Sequence, residues 1–135
     1  MILVDSNVLL DLITGDPGWA EWSRQQLVAA APTGELAINE VVFAEVSIRF
    51  ARIEQLEALL DQIGIALTAS PKLALFIAGK AFGRYRAAGG PRTGVLPDFF
   101  IGAHAVVANA PLITRDTRRF RTYFPELELI TPSAN

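Results

Sequence analysis

The chain has 135 residues, a size suited to one domain with its own hydrophobic core, and 51% of it is apolar. It has no cysteine and a single histidine, His104, which excludes disulfides, thiolate metal sites, a cysteine nucleophile and any mechanism that needs two imidazoles. The formal net charge of −2 gives no overall attraction for nucleic acid; no run reaches the roughly 18 apolar residues of a membrane span, and Met1 leads straight into a strand rather than a signal peptide, so a cytoplasmic protein is expected.

Residues 2–5 read as a short buried strand that ends at an acid, Asp5. Ser6 or Asn7 is expected to cap a short helix over 8–13, before the turn Gly15-Asp16-Pro17-Gly18. A helix over 19–31 carries Trp19, Trp22, Leu27 and Ala30 at helical spacing and stops at Pro32-Thr33-Gly34. Leu36-Ala37-Ile38 forms a second strand, followed by a helix over 40–50 with Val42, Glu45, Val46 and Arg49 on one face. A helix over 53–63 stops at Gly64, 65–67 makes a third strand, and Ser70-Pro71 caps a helix to about residue 88. After a glycine-rich loop at 89–94, Pro97 and Asp98 open an apolar helix to about Asn109. Leu112-Ile113-Thr114 is the fourth strand, Asp116 caps a short helix to about Tyr123, and 127–130 is the last strand. Strands alternating with helices imply one three-layer α/β/α domain over residues 1–135, with a central parallel sheet of four or five strands.

Four acids sit beside apolar runs in this pattern: Asp5, Glu45, Asp98 and Asp116. In an open parallel sheet the carboxyl ends of the strands meet at one edge, where ligands bind. Carboxylates gathered there repel one another unless a cation holds them, and an all-oxygen set suits Mg²⁺ or Mn²⁺. Each acid also has a structural reading. Asp98 and Asp116 are good helix caps, and Glu45 can pair with Arg49 one turn on. Asn7 and Thr114 are candidates to orient a carboxylate. Glu40 reads as a helix-dipole partner and His104 as structural; Asp11 and the other acids read as surface. Gly79-Lys80 is not a phosphate loop, since Ala74 stands where that motif needs glycine.

Setting the four acids aside leaves 10 of the 14 acids against 12 bases, and seven of the ten arginines follow residue 83. Arg84, Arg86, Arg92, Arg115, Arg118 and Arg119 (with Arg121) are therefore candidates to contact a phosphate backbone, the alternative being a solvated helix face.

The motifs Ile2-Leu3-Val4-Asp5-Ser6-Asn7-Val8-Leu9-Leu10, Ile38 to Glu45, Leu96-Pro97-Asp98-Phe99-Phe100-Ile101-Gly102-Ala103-His104-Ala105 and Leu112-Ile113-Thr114-Arg115-Asp116 resemble, in order and spacing, those of the PIN-domain ribonucleases, and within them the VapC toxins. The resemblance covers nearly the whole chain. It implies a metal-dependent endoribonuclease in which the four acids hold Mg²⁺ or Mn²⁺ and a metal-activated water hydrolyses RNA, Glu45 being the candidate general base. It also implies a VapB-like antitoxin lying in an apolar groove (candidate residues Trp19, Trp22, Phe43 and Phe50), a homodimer, DNA contact only through the antitoxin complex, and no membrane. Two alternatives stand beside it. One is a PIN-like module that binds RNA or protein without catalysis. The other is an aspartyl phosphoryl-transfer domain using Asp5, which lacks the expected lysine because Lys72 and Lys80 both fall on a predicted helix.

Overall fold

The computed structural model describes residues 1–91 and 96–132. Its first strand, β1 (Ile2–Val4), is buried throughout and paired on both edges. On one side lie β2 (Leu36–Ile38) and β3 (Ile65–Leu67); on the other lie β4 (Leu112–Ile113) and β5 (Leu129–Ile130). The result is a five-stranded, wholly parallel sheet in the order β3-β2-β1-β4-β5. Leu3 pairs with Ala37 on one side and Leu112 on the other, fixing the register at the centre. Three consecutive apolar residues without alternation in β1 and β2 are what a sheet covered on both faces requires. The covering helices are α1 (Ser6–Thr14), α2 (Ala20–Ala30), α3 (Glu40–Ser47), α4 (Ile53–Ile63), α5 (Lys72–Ala87), α6 (Leu96–Ala108) and α7 (Arg118–Tyr123), in a three-layer α/β/α domain. Among the described residues no helix is long and apolar enough to cross a membrane.

The strand order positions the site. The chain lays β2 and β3 outward from β1, then returns to place β4 on the other flank of β1. The switch in direction leaves a crevice between the carboxyl ends of β1 and β4, the usual ligand position in open parallel sheets.

Local chemistry moves several element boundaries from their expected places. Helix α1 begins at Ser6, two residues early, and its cap is Asp5 rather than Ser6 or Asn7: the Asp5 backbone is still extended (φ −74°, ψ 153°) and its side chain accepts from the Ser6 N–H. Asn39 caps α3 by accepting from the Val41 and Val42 N–H groups, and α3 ends at Ser47 rather than Phe50. Helix α5 has Pro71 at its cap position with no side-chain cap bond. The expected cap, Ser70, donates instead to Glu40 at 2.7 Å, and stands 3.4 Å from both Asn39 and the buried His104. These contacts tie α3, the β3–α5 connection and α6 together. Asp116 does not cap α7; Thr117 holds that position, without a side-chain bond. Strand β5 is reduced to Leu129 and Ile130.

Helix α6 is the core helix. Phe99, Ile101, Gly102, Ala103, His104 and Ala105 are all buried, the pattern of a helix enclosed on most sides. Gly102 allows the Phe124 ring to lie where a β-carbon would be, 2.5 Å away. Gly102→Ala therefore forces that ring to shift, and the expected loss is about 1–3 kcal/mol of unfolding free energy, read from urea titrations of the two chains.

Candidate functional site

Asp5 stands at the end of β1, 4% exposed. Its Oδ1 accepts from the Ser6 N–H at 2.7 Å, and its Oδ2 accepts from the Thr114 hydroxyl at 2.8 Å and more distantly from the Asn7 amide at 3.4 Å. Thr114 follows β4 and is a hub: while donating to Asp5 it accepts from the Asp116 N–H at 3.1 Å and from Asn7 at 3.3 Å. One hydroxyl thus joins the ends of β1 and β4. Burial pushes the Asp5 carboxyl up to about 7; the Thr114 and Ser6 hydrogen bonds oppose the rise, and the charges of Asp98 and Glu45 add to it.

Glu45 projects from α3, half-buried, and its Oε1 is a buried oxygen with no hydrogen-bond partner among the described residues. Burial raises its pKa, with the Ser6 hydroxyl opposing. The alternative pairing with Arg49 is not made; Arg49 is exposed and outside the ion pairs of the described residues. Asp98 lies in the first turn of α6 and is ion-paired with Arg119 of α7. Burial pushes Asp98 up to about 6; the Arg119 charge and hydrogen bond hold it back, while Asp116 and Glu45 add to the rise. Asp116 is exposed in the β4–α7 loop. The four acids therefore share one field, Asp5 with Asp98 and Glu45, and Asp98 with Asp116 and Glu45.

Two observations favour a hard divalent cation for this set: the ligands would all be oxygen, and Glu45 keeps an unpartnered buried oxygen in a field of like charges. Among the described residues no three acid or imidazole side chains already converge as a coordination cluster, and Asp98 is held by Arg119 instead.

The PIN domain profile matches residues 2–125. The chain belongs to the PIN-domain family. No curated protein is significantly similar to it in sequence. Among solved structures it is similar to the VapBC2 complex of Rickettsia felis bound to a promoter DNA fragment (22% identity, TM-score 0.73, 97% of this chain and 98% of that chain). It is also similar to a toxin–antitoxin complex from Klebsiella pneumoniae (23%, 0.68, 98% of each chain) and to DNA-bound VapBC from Salmonella typhimurium (17%, 0.70, 97% and 98%). At these identities the likeness is one of fold.

In this PIN domain the arginines have separate fates. Arg84 and Arg86 in the last turn of α5, and Arg118 and Arg121 on α7, are exposed and outside the ion pairs of the described residues. Arg92 lies outside the described residues. Arg119 is on Asp98. Arg115 is bound to Asp11 through two hydrogen bonds of 2.8 Å and lies 5.2 Å over the Trp19 ring. Asp11 is correspondingly not a surface residue: it is 2% exposed and also accepts from Ser23 of α2 at 2.8 Å. Its spacing of three from Val8, which the reading of Asp11 as a surface residue passed over, puts both on the buried face of α1. The Asp11–Arg115 pair anchors the segment carrying Thr114 and Asp116 against α1 and α2.

The four aromatic residues considered for one apolar groove are split. Trp19 and Trp22 meet edge to face at 6.0 Å, whereas Phe43 and Phe50 line a separate cavity of about 170 Å³ beside Leu56. A larger apolar cavity of about 570 Å³ lies between α1, α2 and α4, lined by Leu12, Ile13, Leu27, Val28, Leu59 and Ile63 among others.

Two outcomes follow for the PIN domain itself. Removing one partner of a buried ion pair leaves the other uncompensated, so Asp11→Asn should lose about 3 kcal/mol, the lower end of the usual range because Arg115 is partly exposed; chemical denaturation checks this. A carboxyl with a folded pKa raised from 3.8 to about 7 binds its proton more tightly in the native state, so its contribution to stability falls as pH rises from about 4 to 7. His104, lowered by burial, works in the opposite direction below its ordinary value of 6.5, so the diagnostic quantity is a difference. The melting temperature of Asp5→Asn, relative to wild type without divalent ions, should rise steadily between pH 5 and pH 7.5; a flat difference would contradict the raised pKa.

Proposed function

We propose that this chain is a VapC-like toxin, a metal-dependent endoribonuclease that hydrolyses RNA phosphodiester bonds. The reading is supported by Asp5, at the switch point of a parallel sheet, lying in the field of Asp98 and Glu45, and Asp98 in that of Asp116, with Arg119 as the one cation paired to any of them among the described residues. Membership of the PIN family and the likeness in fold to chains of VapBC and other toxin–antitoxin complexes support it.

Asp5, Glu45, Asp98 and Asp116 would hold Mg²⁺ or Mn²⁺. Such an ion, when bound, lowers the pKa of water and offsets charge on a phosphoryl oxygen. The chain's own residues do the positioning. Thr114, Ser6 and Asn7 orient the Asp5 carboxylate, and the Thr114 hydroxyl keeps the Asp116 loop against it. Glu45, with one oxygen free of hydrogen bonds, is the candidate to accept the proton of the attacking water. Arg119 must exchange Asp98 for another anion when a cation enters, and the RNA phosphate is the natural replacement. Arg84, Arg86 and Arg118, exposed on the same half of the chain, are the further backbone contacts proposed. Inhibition by a VapB-like antitoxin, homodimer formation, and DNA binding only through the antitoxin complex belong to the same proposal.

The second reading, a PIN-like module that binds RNA or protein without cutting it, is favoured by one observation, the closed Asp98–Arg119 pair. Cleavage of total cellular RNA by the purified chain separates the two. Discrete cuts with Mg²⁺ or Mn²⁺ should disappear with EDTA and fall roughly 100- to 1000-fold in Asp98→Asn, the scale expected for losing one charge-stabilising group. Folded, antitoxin-free protein that cuts no RNA class but retains RNA binding in EDTA would replace the ribonuclease reading with the binding module.

A further inference from the structure

A cavity of about 310 Å³ opens between α5 and α7, lined by Tyr85, Arg118, Arg119, Thr122 and Tyr123. It is distinct from the carboxylate crevice but shares a wall with it. Arg119 reaches Asp98 with one guanidinium nitrogen, while its guanidinium carbon lies 5.8 Å over the Tyr85 ring. We propose that this cavity receives one unpaired base of the RNA, stacked against Tyr123 with Tyr85 as a side wall, adjacent to the phosphodiester that is cut. The proposal rests on the ribonuclease reading above.

The lining fits a nucleotide in both of its parts. The Tyr123 ring offers an aromatic surface, two guanidinium groups offer charge to phosphate and a plane to a base, and no carboxylate of the described residues lines the cavity. The platform is fixed before binding. The Tyr85 ring stacks on Phe82 at 6.0 Å and meets Phe99 at 5.4 Å and Tyr123 at 5.9 Å. Gly90 covers the same ring so closely that a β-carbon there would lie 2.4 Å from it, so Tyr85 walls the cavity and braces Tyr123 instead of stacking the base itself. Rings held this way lose little freedom on stacking a ligand. The cavity's volume is at the small end of ligand sites, suited to one base rather than a folded peptide segment. An acidic peptide would pair with the arginines but has no flat ring for Tyr123. The Arg119 exchange links the two sites: leaving Asp98, the guanidinium stays in the cavity wall and meets the phosphate of the base bound there.

The test uses a short single-stranded RNA cut at one position, prepared with an abasic residue or with 2-aminopurine at each position flanking the cut. In the wild-type chain one abasic position should lower kcat/KM by about 10-fold, the scale of one base–aromatic stack. In Tyr123→Leu, which removes the ring, and in Thr122→Leu, which fills the cavity from an exposed position, intact RNA should be cut as slowly as abasic RNA, with no further loss from the abasic residue. Folding of both variants is checked by thermal melting, and either one suffices. An abasic penalty undiminished in the folded variants, or no penalty at any flanking position, overturns the base site. Fluorescence separates this failure from failure of the ribonuclease reading. With 2-aminopurine placed in turn at every position of an unstructured single-stranded RNA, quenching that is lost in the variants, with no cleavage of any RNA, would keep the base site and overturn the nuclease; neither quenching nor cleavage would overturn both.

Discussion

A single hydroxyl, that of Thr114, holds the acidic edge of this protein together. It joins the end of β1 to the end of β4 by donating to Asp5 and accepting from the Asp116 backbone. Those two strands are neighbours only because the chain turns back across β1 after laying down β3. The bond therefore exists because of topology, and it fixes a carboxylate where burial and two neighbouring charges all oppose ionisation.

The cations around the edge have divided roles. Arg115, itself partly exposed, is held by a two-point pair with the buried Asp11 and backed by Trp19, so its charge organises α1, α2 and the Asp116 loop. Arg119 is held by a single contact to Asp98 and lies over Tyr85. The first pair is nearly closed to water on its acidic side; the second is about a quarter exposed on both sides and open to exchange. Two arginines four residues apart thus serve stability in one case and a changeable electrostatic contact in the other. Geometry separates them, since of these two pairs the guanidinium fork is matched bidentately at Asp11 and not at Asp98.

Hydrophobic packing supplies the rigidity this edge needs. Helix α6 brings Asp98 to the site from a buried apolar helix whose Gly102 accommodates Phe124 and whose Phe99 meets Tyr85 and Tyr123. The same aromatic group is the core of α5–α6–α7 packing and the floor of the cavity beside the carboxylates. Core and site are continuous there, which is why the orientation of Tyr85 follows from the packing of Gly90, Phe82 and Phe99.

The sequence by itself determined the fold class and the four acids' positions along the chain. Short apolar runs alternating with helical periods leave little choice but a parallel α/β sheet, and a strand such as Ile2-Leu3-Val4 is recognisable because both of its faces must be apolar. Local capping was less legible. Asp5, Ser6 and Asn7 all have cap chemistry, and only the extended backbone at the end of β1 selects Asp5. Ser70 suits a cap by its type but is drawn to Glu40, 30 residues away. The tertiary structure alone decided which charges meet. Asp11 with Arg115, Asp98 with Arg119, and Glu45 without Arg49 are set by contacts up to 104 residues apart, for which a single sequence carries no spacing rule. It also decided that Tyr85 and Tyr123, unremarkable in the sequence, enclose a cavity beside the acids, because side chains on different helices become neighbours only when the core that orients them is packed.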